Sequence, residues 1–336
     1  MKRCAIRLGL AALALFLVLN LVAYRHAWRM THFVSVGVRT TTPAKLSAWE
    51  KVKTLLLGVV VPRAVVDEVR AEFPQPSRTI HFNARDDSKL AAWDIPAAAG
   101  HERGVMVMFP GYAASRSSLL GEARVLHDLG WSTILVDFRG SGEADRSVTT
   151  LGWHEAMDVA AAMNWARHEW PAAKLILYGQ SMGAAAVLRA VATEGVTPDG
   201  IVVEAPFDTL LTTVGHRYRA MGLPSFPFAQ LLLFWGGVQN DFNAFALKPV
   251  KYAAAVNCPA LVLGGEHDPW VKPAEARRVG AAMRGPTECH IFQDGGHCGF
   301  WWDVPEEYRR VVSEWLTQTE SSPDTVREPG AQSKKR

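Results

Sequence analysis

Residues 175–187 of the chain read LILYGQSMGAAAV, in which Ser181 lies between two glycines after an apolar run. The run predicts a strand covered on both faces, and the alanine-rich part predicts a helix that begins near Met182. A serine between a strand and a helix occupies a sharp turn, and Gly179 and Gly183 supply the small flanking residues that such a turn needs. The turn would hold the Ser181 hydroxyl above the sheet, so Ser181 is a candidate nucleophile.

Short apolar runs alternate with helical patterns from Thr79 onward, which predicts an α/β fold with a mostly parallel sheet and helices on both faces. An antiparallel pair is expected to open the sheet at residues 79–82 and 90–93. Further strands are expected at residues 104–109, 132–136, 174–178, 201–203, 260–263 and 290–292. Helices are expected at residues 115–129, 153–169, 182–193 and 273–283, and a final helix is expected to end near Leu316.

One segment between two of these strands, from Asp208 to Asn257, does not continue the alternation. It is rich in Phe and Leu, and its glycines and prolines exclude one long helix. An insertion of this size at the edge of a parallel sheet where ligands bind predicts a cap or lid over the site. Ordinary helical cover for the sheet is the alternative interpretation.

The composition excludes two classes of protein. With 336 residues, of which 49% are hydrophobic, the chain can bury a sizeable core, so most of it is not disordered. The net charge of +3 is small, and the Lys and Arg residues are scattered without the basic face that nucleic-acid phosphates require. We therefore expect no nucleic-acid partner.

The four cysteines form no Cys-x-x-Cys pair and have no Cys/His spacing typical of a zinc site, so no bound metal is expected. Cys289 and Cys298 could pair in an oxidising compartment, but their spacing does not show that their Cα atoms approach closely enough. Free thiols are the default expectation.

Residues 1–30 contain an uncharged apolar run from Leu8 to Tyr24, preceded by three basic residues, Lys2, Arg3 and Arg7. The run is about as long as the shortest membrane-spanning helix and exceeds the apolar region of a typical signal peptide. An uncleaved signal anchor is the first interpretation, and a cleaved signal peptide and a buried soluble helix are the alternatives. Basic residues nearly balance on the two sides of the run, and we expect the catalytic domain to lie outside the cytoplasm.

Residues 31–78 are expected to form an amphipathic helix followed by a linker. Apolar residues fall at near-helical spacing between Leu46 and Val59, with two lysines between them. This helix is expected to cover the domain, and binding at the membrane surface is the alternative. Three prolines then break the pattern, at positions 62, 74 and 76.

Two later loops supply the partners that a nucleophilic serine needs. A serine hydroxyl requires a general base, and the base requires a carboxylate that orients it. Asp268 follows a predicted strand in the stretch LGGEHDPWV, and His297 follows the last predicted strand in GGHCGFW. Both loops would open at the same sheet edge as Ser181, so we predict a triad of Ser181, His297 and Asp268.

Other acids and histidines have weaker claims. Glu204 and Asp208 follow another strand, and Glu204 is the alternative orienting carboxylate. Roles in packing or at the surface are sufficient to explain the histidine beside Asp268 and those within helical or early strand patterns. Glu266 is expected to be a solvated loop residue.

An oxyanion hole requires preorganised N–H donors close to the nucleophile. The first predicted donor is the backbone N–H of Met182, which follows the nucleophile at a helix start. The second is expected in the loop after the strand at residues 104–109, where Gly111 lets the backbone approach closely. We predict the N–H of Tyr112, with Ala113 as the alternative.

These motifs together resemble the α/β-hydrolase fold superfamily, and the pattern is most similar to its lysophospholipase-like and serine aminopeptidase-like branch. The resemblance covers residues 79–316 and implies Ser181 as nucleophile, His297 as base and Asp268 as acid. It also includes the stretch DFRGSG at residues 137–142, which implies that Arg139 and the glycines shape a loop beside the oxyanion site. The sequence departs from the family at Pro110, where many relatives have His.

The predicted organisation is an anchor or signal segment at residues 1–30, a helix and linker at 31–78, an α/β-hydrolase domain at 79–318 with a lid at about 208–257, and a disordered tail at 319–336. The expected function is a membrane-anchored serine hydrolase that needs no cofactor and cleaves a carboxylic ester with an apolar acyl group, such as a lipid-derived ester. Peptidase, thioesterase or acyltransferase activity on the same triad, and a non-catalytic membrane-tethered binding protein, are the alternatives.

Overall fold

The computed structural model describes residues 2–42, 45–71, 73–98 and 103–321. The strands in these ranges are β1 (Arg78–Asn83), β2 (Lys89–Ile95), β3 (Gly104–Phe109), β4 (Trp131–Asp137), β5 (Leu175–Gln180), β6 (Gly200–Glu204), β7 (Ala260–Gly265) and β8 (Thr287–Phe292). They form one sheet in the order β1-β2-β4-β3-β5-β6-β7-β8. Strands β1, β2 and β4 pair antiparallel, and the pairs from β4 to β8 along the sheet are parallel. The expected antiparallel opening of a mostly parallel sheet is confirmed.

The helices in the described ranges are α1 (Lys2–Thr31), α2 (Ala48–Leu57), α3 (Leu120–Asp128), α4 (Glu155–Glu169), α5 (Met182–Thr193), α6 (Leu210–Ala220), α7 (Phe228–Gln239), α8 (Pro249–Tyr252), α9 (Pro273–Ala282), α10 (Phe300–Asp303) and α11 (Pro305–Ser321). The expected helix at residues 115–129 begins as a 3₁₀ turn at Arg116–Leu119 before α3. Both the backbone N–H and the guanidinium of Arg116 bind the buried carboxylate of Asp137. This pairing holds the chain away from a regular helix start.

The sheet has a hydrophobic core on each face. Side chains from α4, α5 and α9 pack with β3 to β7 on one face, and side chains from α3, α10 and α11 pack on the other. Strands β3, β4, β5, β6 and β7 are buried along their whole length, because helices cover them on both faces. The carboxyl ends of the parallel strands consequently meet at one edge, where ligands bind in such folds.

The segment from 208 to 257 is helical, with α6, α7, α8 and two 3₁₀ turns. Leu210 and Val214 of α6 pack with Leu232 and Leu233 of α7 in a cluster that also contains Val271, three residues after Asp268. The segment therefore lies beside the loops that carry the predicted catalytic residues.

Helix α1 packs its C-terminal part against α7. The Trp235 indole donates to the Asn20 side-chain oxygen at 3.1 Å, and its ring meets Tyr24 edge-on at 5.3 Å between centroids. Ala27 is buried in the same cluster as α6 and α7. The N-terminal part of α1 is exposed, and α1 is the one helix in the described ranges long and apolar enough to cross a membrane. It is compatible with a membrane anchor or a signal sequence.

Helix α2 is shorter than the helix that the apolar spacing between Leu46 and Val59 predicted. It begins after Ser47, whose side chain and that of Glu50 cap each other's backbone N–H groups. No α2 residue is buried, and Trp49 is 73% exposed. The helix thus covers little of the domain core.

At the other end of the chain, α11 includes residues 319–321 of the predicted tail, and residues 322–336 lie outside the described part. The four cysteines lie in the described ranges as free thiols.

Candidate active site

Ser181 occupies the sharp turn between β5 and α5. Its φ of +51° and ψ of −104° lie where L-residues are rarely found. A Cβ on Gly179 would lie 2.5 Å from the Gly183 backbone, and a Cβ on Gly183 would lie 2.4 Å from the Phe109 carbonyl oxygen. Both glycines are required by these close approaches. The Ser181 N–H donates to the Glu204 carbonyl at 2.8 Å, which ties the turn to the neighbouring strand β6.

The structure brings Ser181, His297 and Asp268 together from loops after β5, β8 and β7. His297 Nε2 lies 3.0 Å from Ser181 Oγ, and His297 Nδ1 lies 2.7 Å from Asp268 Oδ2. Asp268 is 1% exposed. An oxygen acceptor at Nδ1 favours the imidazole proton on that nitrogen, so that Nε2 is free to accept a proton from the Ser181 hydroxyl.

The Asp268 carboxylate is fixed by its own loop. Its Oδ1 accepts hydrogen bonds from the backbone N–H groups of Trp270 at 2.7 Å and Val271 at 2.9 Å. The other oxygen is left for His297. Because both oxygens have defined partners, the orientation of the carboxylate is set before any ligand binds.

The loop that carries His297 rests on the end of β7. A Cβ on Gly265 would lie 2.1 Å from the Gly296 carbonyl oxygen and 2.4 Å from that of Gly295. Only a glycine at the end of β7 permits this approach. Gly265 therefore joins the loop of Asp268 to the loop of His297.

Glu204 also contacts the loop that carries His297, and it does so at the loop backbone and not at the imidazole. Its Oε1 accepts the N–H of Gly299 at 2.7 Å, and the Tyr178 hydroxyl donates to its Oε2. Burial raises the pKa of Glu204. The sequence predicted Glu204 only as an alternative partner of the histidine, and the one sequence signal for its observed contacts is its position at the end of the strand next to that of Ser181.

Asp208, the other acid at this edge, binds a guanidinium on α9. Its Oδ2 accepts from Arg278 Nη2 at 2.6 Å and from Arg278 Nε at 3.1 Å. Asp268 is therefore the acid that contacts His297, and the two alternative carboxylates have other partners.

The loop at residues 110–113 lies beside Ser181, as the oxyanion prediction requires. A Cβ on Gly111 would lie 3.8 Å from Ser181 Cβ. Met182 is the first residue of α5, where backbone N–H groups lack a partner within the helix. The Tyr112 hydroxyl donates to the Met30 carbonyl of α1, which anchors the loop. The donor roles of the Tyr112 and Met182 amides stay predictions.

Arg139 is buried in a charge cluster, consistent with a structural role in its loop. Its guanidinium binds Asp158 and Asp86. Burial raises the pKa of Asp158 to about 6, and the contact with Arg139 opposes this rise. Arg139 is not among the residues that line the cavity described next.

A cavity of about 570 Å³ opens over Ser181 and His297. Its walls come from an N-terminal segment between His26 and Val61, the loop after β3, helices α6 and α7, and the loops of Asp268 and His297. The sequence did not indicate that residues before the domain would contribute. The lining side chains from that N-terminal segment are His26, Met30, Arg39, Thr40, Thr41, Thr42, Leu46, Thr54, Leu55, Val59, Val60 and Val61.

Comparison with known proteins places these features in a family context. A family model described as serine aminopeptidase, S33, matches residues 100–223. An uncharacterized protein of Bacillus subtilis, YqkD, is 23% identical over 255 residues, which are 72% of this chain and 84% of the relative. The lysophosphatidylserine lipase ABHD12 of Danio rerio is 26% identical over 154 residues, 43% of this chain and 37% of that protein.

Among solved structures, the Pyrococcus furiosus esterase Pf2001 is similar, with a TM-score of 0.61 and 22% identity over 76% of this chain and 98% of that one. The structural likeness shows the fold, and the family match over residues 100–223 supports a serine hydrolase. The chain has the α/β-hydrolase fold, and its resemblance to the serine aminopeptidase-like branch is confirmed over residues 100–223.

Proposed function

We propose that the chain cleaves a carboxylic ester through an acyl-enzyme formed on Ser181. The hydrogen-bonded chain from Ser181 Oγ to His297 at 3.0 Å and from His297 to Asp268 at 2.7 Å carries this proposal. His297 takes the proton from Ser181 as the hydroxyl attacks the ester carbonyl, and it returns the proton to the leaving alcohol. Water, activated by the same imidazole, then releases the acid. These steps need no cofactor.

The tetrahedral oxyanion would be held by the backbone N–H groups of Met182 and Tyr112. Each preorganised donor contributes about 3 kcal/mol to transition-state stabilisation in such sites. The close approach of Gly111 to Ser181 and the position of Met182 at the start of α5 support this assignment.

An ester with an apolar acyl group is the substrate class that the cavity favours. Val214 and Leu232 of α6 and α7 and Met30 of α1 form apolar walls near Ser181. We propose that the segment 208–257 acts as a lid over this cavity, since α6 and α7 contribute to its walls. The zebrafish relative is a lipase by name, which supports a lipid-derived ester.

Labelling by a fluorophosphonate tests the nucleophile directly. The wild type should be labelled, Ser181→Ala should not, and Ser118→Ala should be labelled as the wild type is, because Ser118 is exposed and outside the cavity lining. A folded wild type that resists labelling and hydrolyses no ester would show that the domain is a binding module.

The match to a serine aminopeptidase model favours a second candidate activity, which is amide cleavage by the same triad. Rates on p-nitrophenyl esters of several chain lengths should exceed those on aminoacyl anilides and on acyl thioesters of equal length. Faster cleavage of the anilides would identify the protein as a peptidase. Transfer of the acyl group to an added alcohol would identify it as an acyltransferase.

We further propose that α1 remains attached and anchors the protein with its catalytic domain outside the cytoplasm. The contacts of Asn20 and Tyr24 with Trp235 support an uncleaved helix, because they join the apolar run to the domain. Cys289 is exposed on the domain and offers a probe of sidedness. A membrane-impermeant maleimide should label intact cells, and Cys289→Ser should lose this label; labelling only after lysis would reverse the orientation.

A further inference from the structure

The charged side chains that line the cavity are of one sign. Arg39 and Arg217 contribute to the lining together with Ser181 and His297, and no Asp or Glu of the described residues does so. Asp268 is buried behind the imidazole and paired with it. The space next to the candidate nucleophile is therefore positively charged.

Arg217 lies above the site on α6. Its Cζ is 5.1 Å from the centroid of the Trp270 ring and 6.0 Å from that of Tyr112, so it stands between the acid loop and the predicted oxyanion loop. Across the ranges that the structure describes, its guanidinium has no hydrogen-bond acceptor and no carboxylate within 4.0 Å. An arginine presents five N–H donors in a planar fork that suits phosphate and carboxylate groups.

Arg39 approaches the same region from the N-terminal segment. Its Nη1 donates to the Ala113 carbonyl at 3.3 Å, next to Tyr112. It forms no ion pair with any described carboxylate. Burial lowers the pKa of Arg217 and the charge of Arg39 lowers it further, while Tyr112 and the more distant Asp268 carboxylate partly oppose this decrease.

The two buried arginines in the described part of this domain have carboxylate partners, and the half-buried Arg189 donates to the Trp153 carbonyl and the Tyr252 hydroxyl instead. Arg116 pairs with Asp137, and Arg139 pairs with Asp158. Because a half-buried cation without a partner is costly, the arrangement at Arg217 is that of a site whose anion arrives with a ligand.

We propose that the cavity binds an acyl ester that carries a phosphate or carboxylate group, and that Arg217, assisted by Arg39, holds this anionic group while the acyl chain lies along the apolar walls. The proposal rests on the ester hydrolysis proposed above and adds the charge of the substrate to it. Arg217 is a specificity residue here, since it contacts the anionic group and not the reacting carbonyl.

Two pairs of soluble esters with the same acyl chain separate the charge from the chain. The phosphate pair is 1-octanoylglycerol 3-phosphate and 1-octanoylglycerol, and the carboxylate pair is octanoyl lactate and ethyl octanoate. The full chain is assayed in a nonionic detergent and a phosphate-free buffer, because phosphate competes for the same donors and salt screens exposed charges. The ratio of kcat/KM within each pair measures discrimination, and the larger ratio identifies the anion as phosphate or carboxylate.

The wild type should prefer the anionic member of at least one pair by about tenfold or more, the size expected for charge-assisted hydrogen bonds. Arg217→Gln should lower that ratio by about tenfold, and Arg39→Gln should lower it less, since Arg39 is exposed. Arg219→Gln is the matched control, two residues further along α6, exposed and bonded to Ser225. It should keep the wild-type ratio.

A wild-type ratio of one or less in both pairs overturns the proposal. So does an Arg217→Gln variant that loses activity equally on both members of a pair, because Arg217 would then act only by packing against Trp270. Failure of the ester hydrolysis itself has a different result, namely no turnover of any of the four esters and no fluorophosphonate labelling.

Discussion

Asp268→Asn tests the proposed orientation of the imidazole with little change in shape. In the native protein, Asp268 Oδ1 accepts two backbone N–H groups at 2.7 and 2.9 Å, and Oδ2 accepts from His297 Nδ1 at 2.7 Å. An asparagine keeps one oxygen, and the two N–H groups require it. Its NH₂ group must therefore face His297.

That arrangement reverses the polarity of the bond to the imidazole. The asparagine NH₂ donates, so His297 Nδ1 must accept, and the proton of the neutral ring moves to Nε2, which faces Ser181 Oγ at 3.0 Å. Nε2 can then no longer accept the serine proton. We expect kcat/KM for ester hydrolysis to fall by about 10³ to 10⁴, which corresponds to about 4 to 5.5 kcal/mol of transition-state stabilisation.

The fold should be nearly unaffected, since both buried N–H groups keep their acceptor. Steady-state hydrolysis of p-nitrophenyl octanoate, the rate of fluorophosphonate labelling and the thermal unfolding midpoint should be measured together. Asp294→Asn, an exposed change three residues before His297, is the matched control and should behave as the wild type. A folded Asp268→Asn variant with more than about a tenth of wild-type activity would refute the assigned role.

Three further changes have defined outcomes. Glu204→Leu leaves the Gly299 N–H without its acceptor and should lower kcat about tenfold, whereas Glu204→Gln keeps an oxygen there; equal kcat values for the two variants would contradict a positioning role. Gly183→Ala places a methyl group 2.4 Å from the Phe109 carbonyl oxygen and should lower the free energy of unfolding by about 1 to 3 kcal/mol. Denaturant unfolding measures this change, and an unchanged midpoint would disprove the close approach. Trp235→Ala removes the indole contacts to α1 and should lower stability by about 2 kcal/mol in detergent, an effect that should vanish if α1 has been cleaved.

The sequence alone determined the sheet and the three residues that the structure brings together. Each of Ser181, Asp268 and His297 lies in the loop or turn that follows an apolar strand, and parallel strands end at one edge. Their proximity therefore follows from local patterns plus one topological rule. The glycines around Ser181 could be explained in the same way, because the need for small residues at a sharp turn is local.

Only the tertiary structure decided what surrounds these three residues. Arg39, Arg217 and Met30 line the cavity although they lie far from Ser181 in sequence, and Glu204 supports the histidine loop through a backbone N–H. The pattern of apolar residues along the chain does not predict such contacts, because they depend on how α1 and α6 pack against the folded domain. The positions of Ser181, Asp268 and His297 follow from local sequence patterns, whereas the shape and charge of the cavity result from long-range packing.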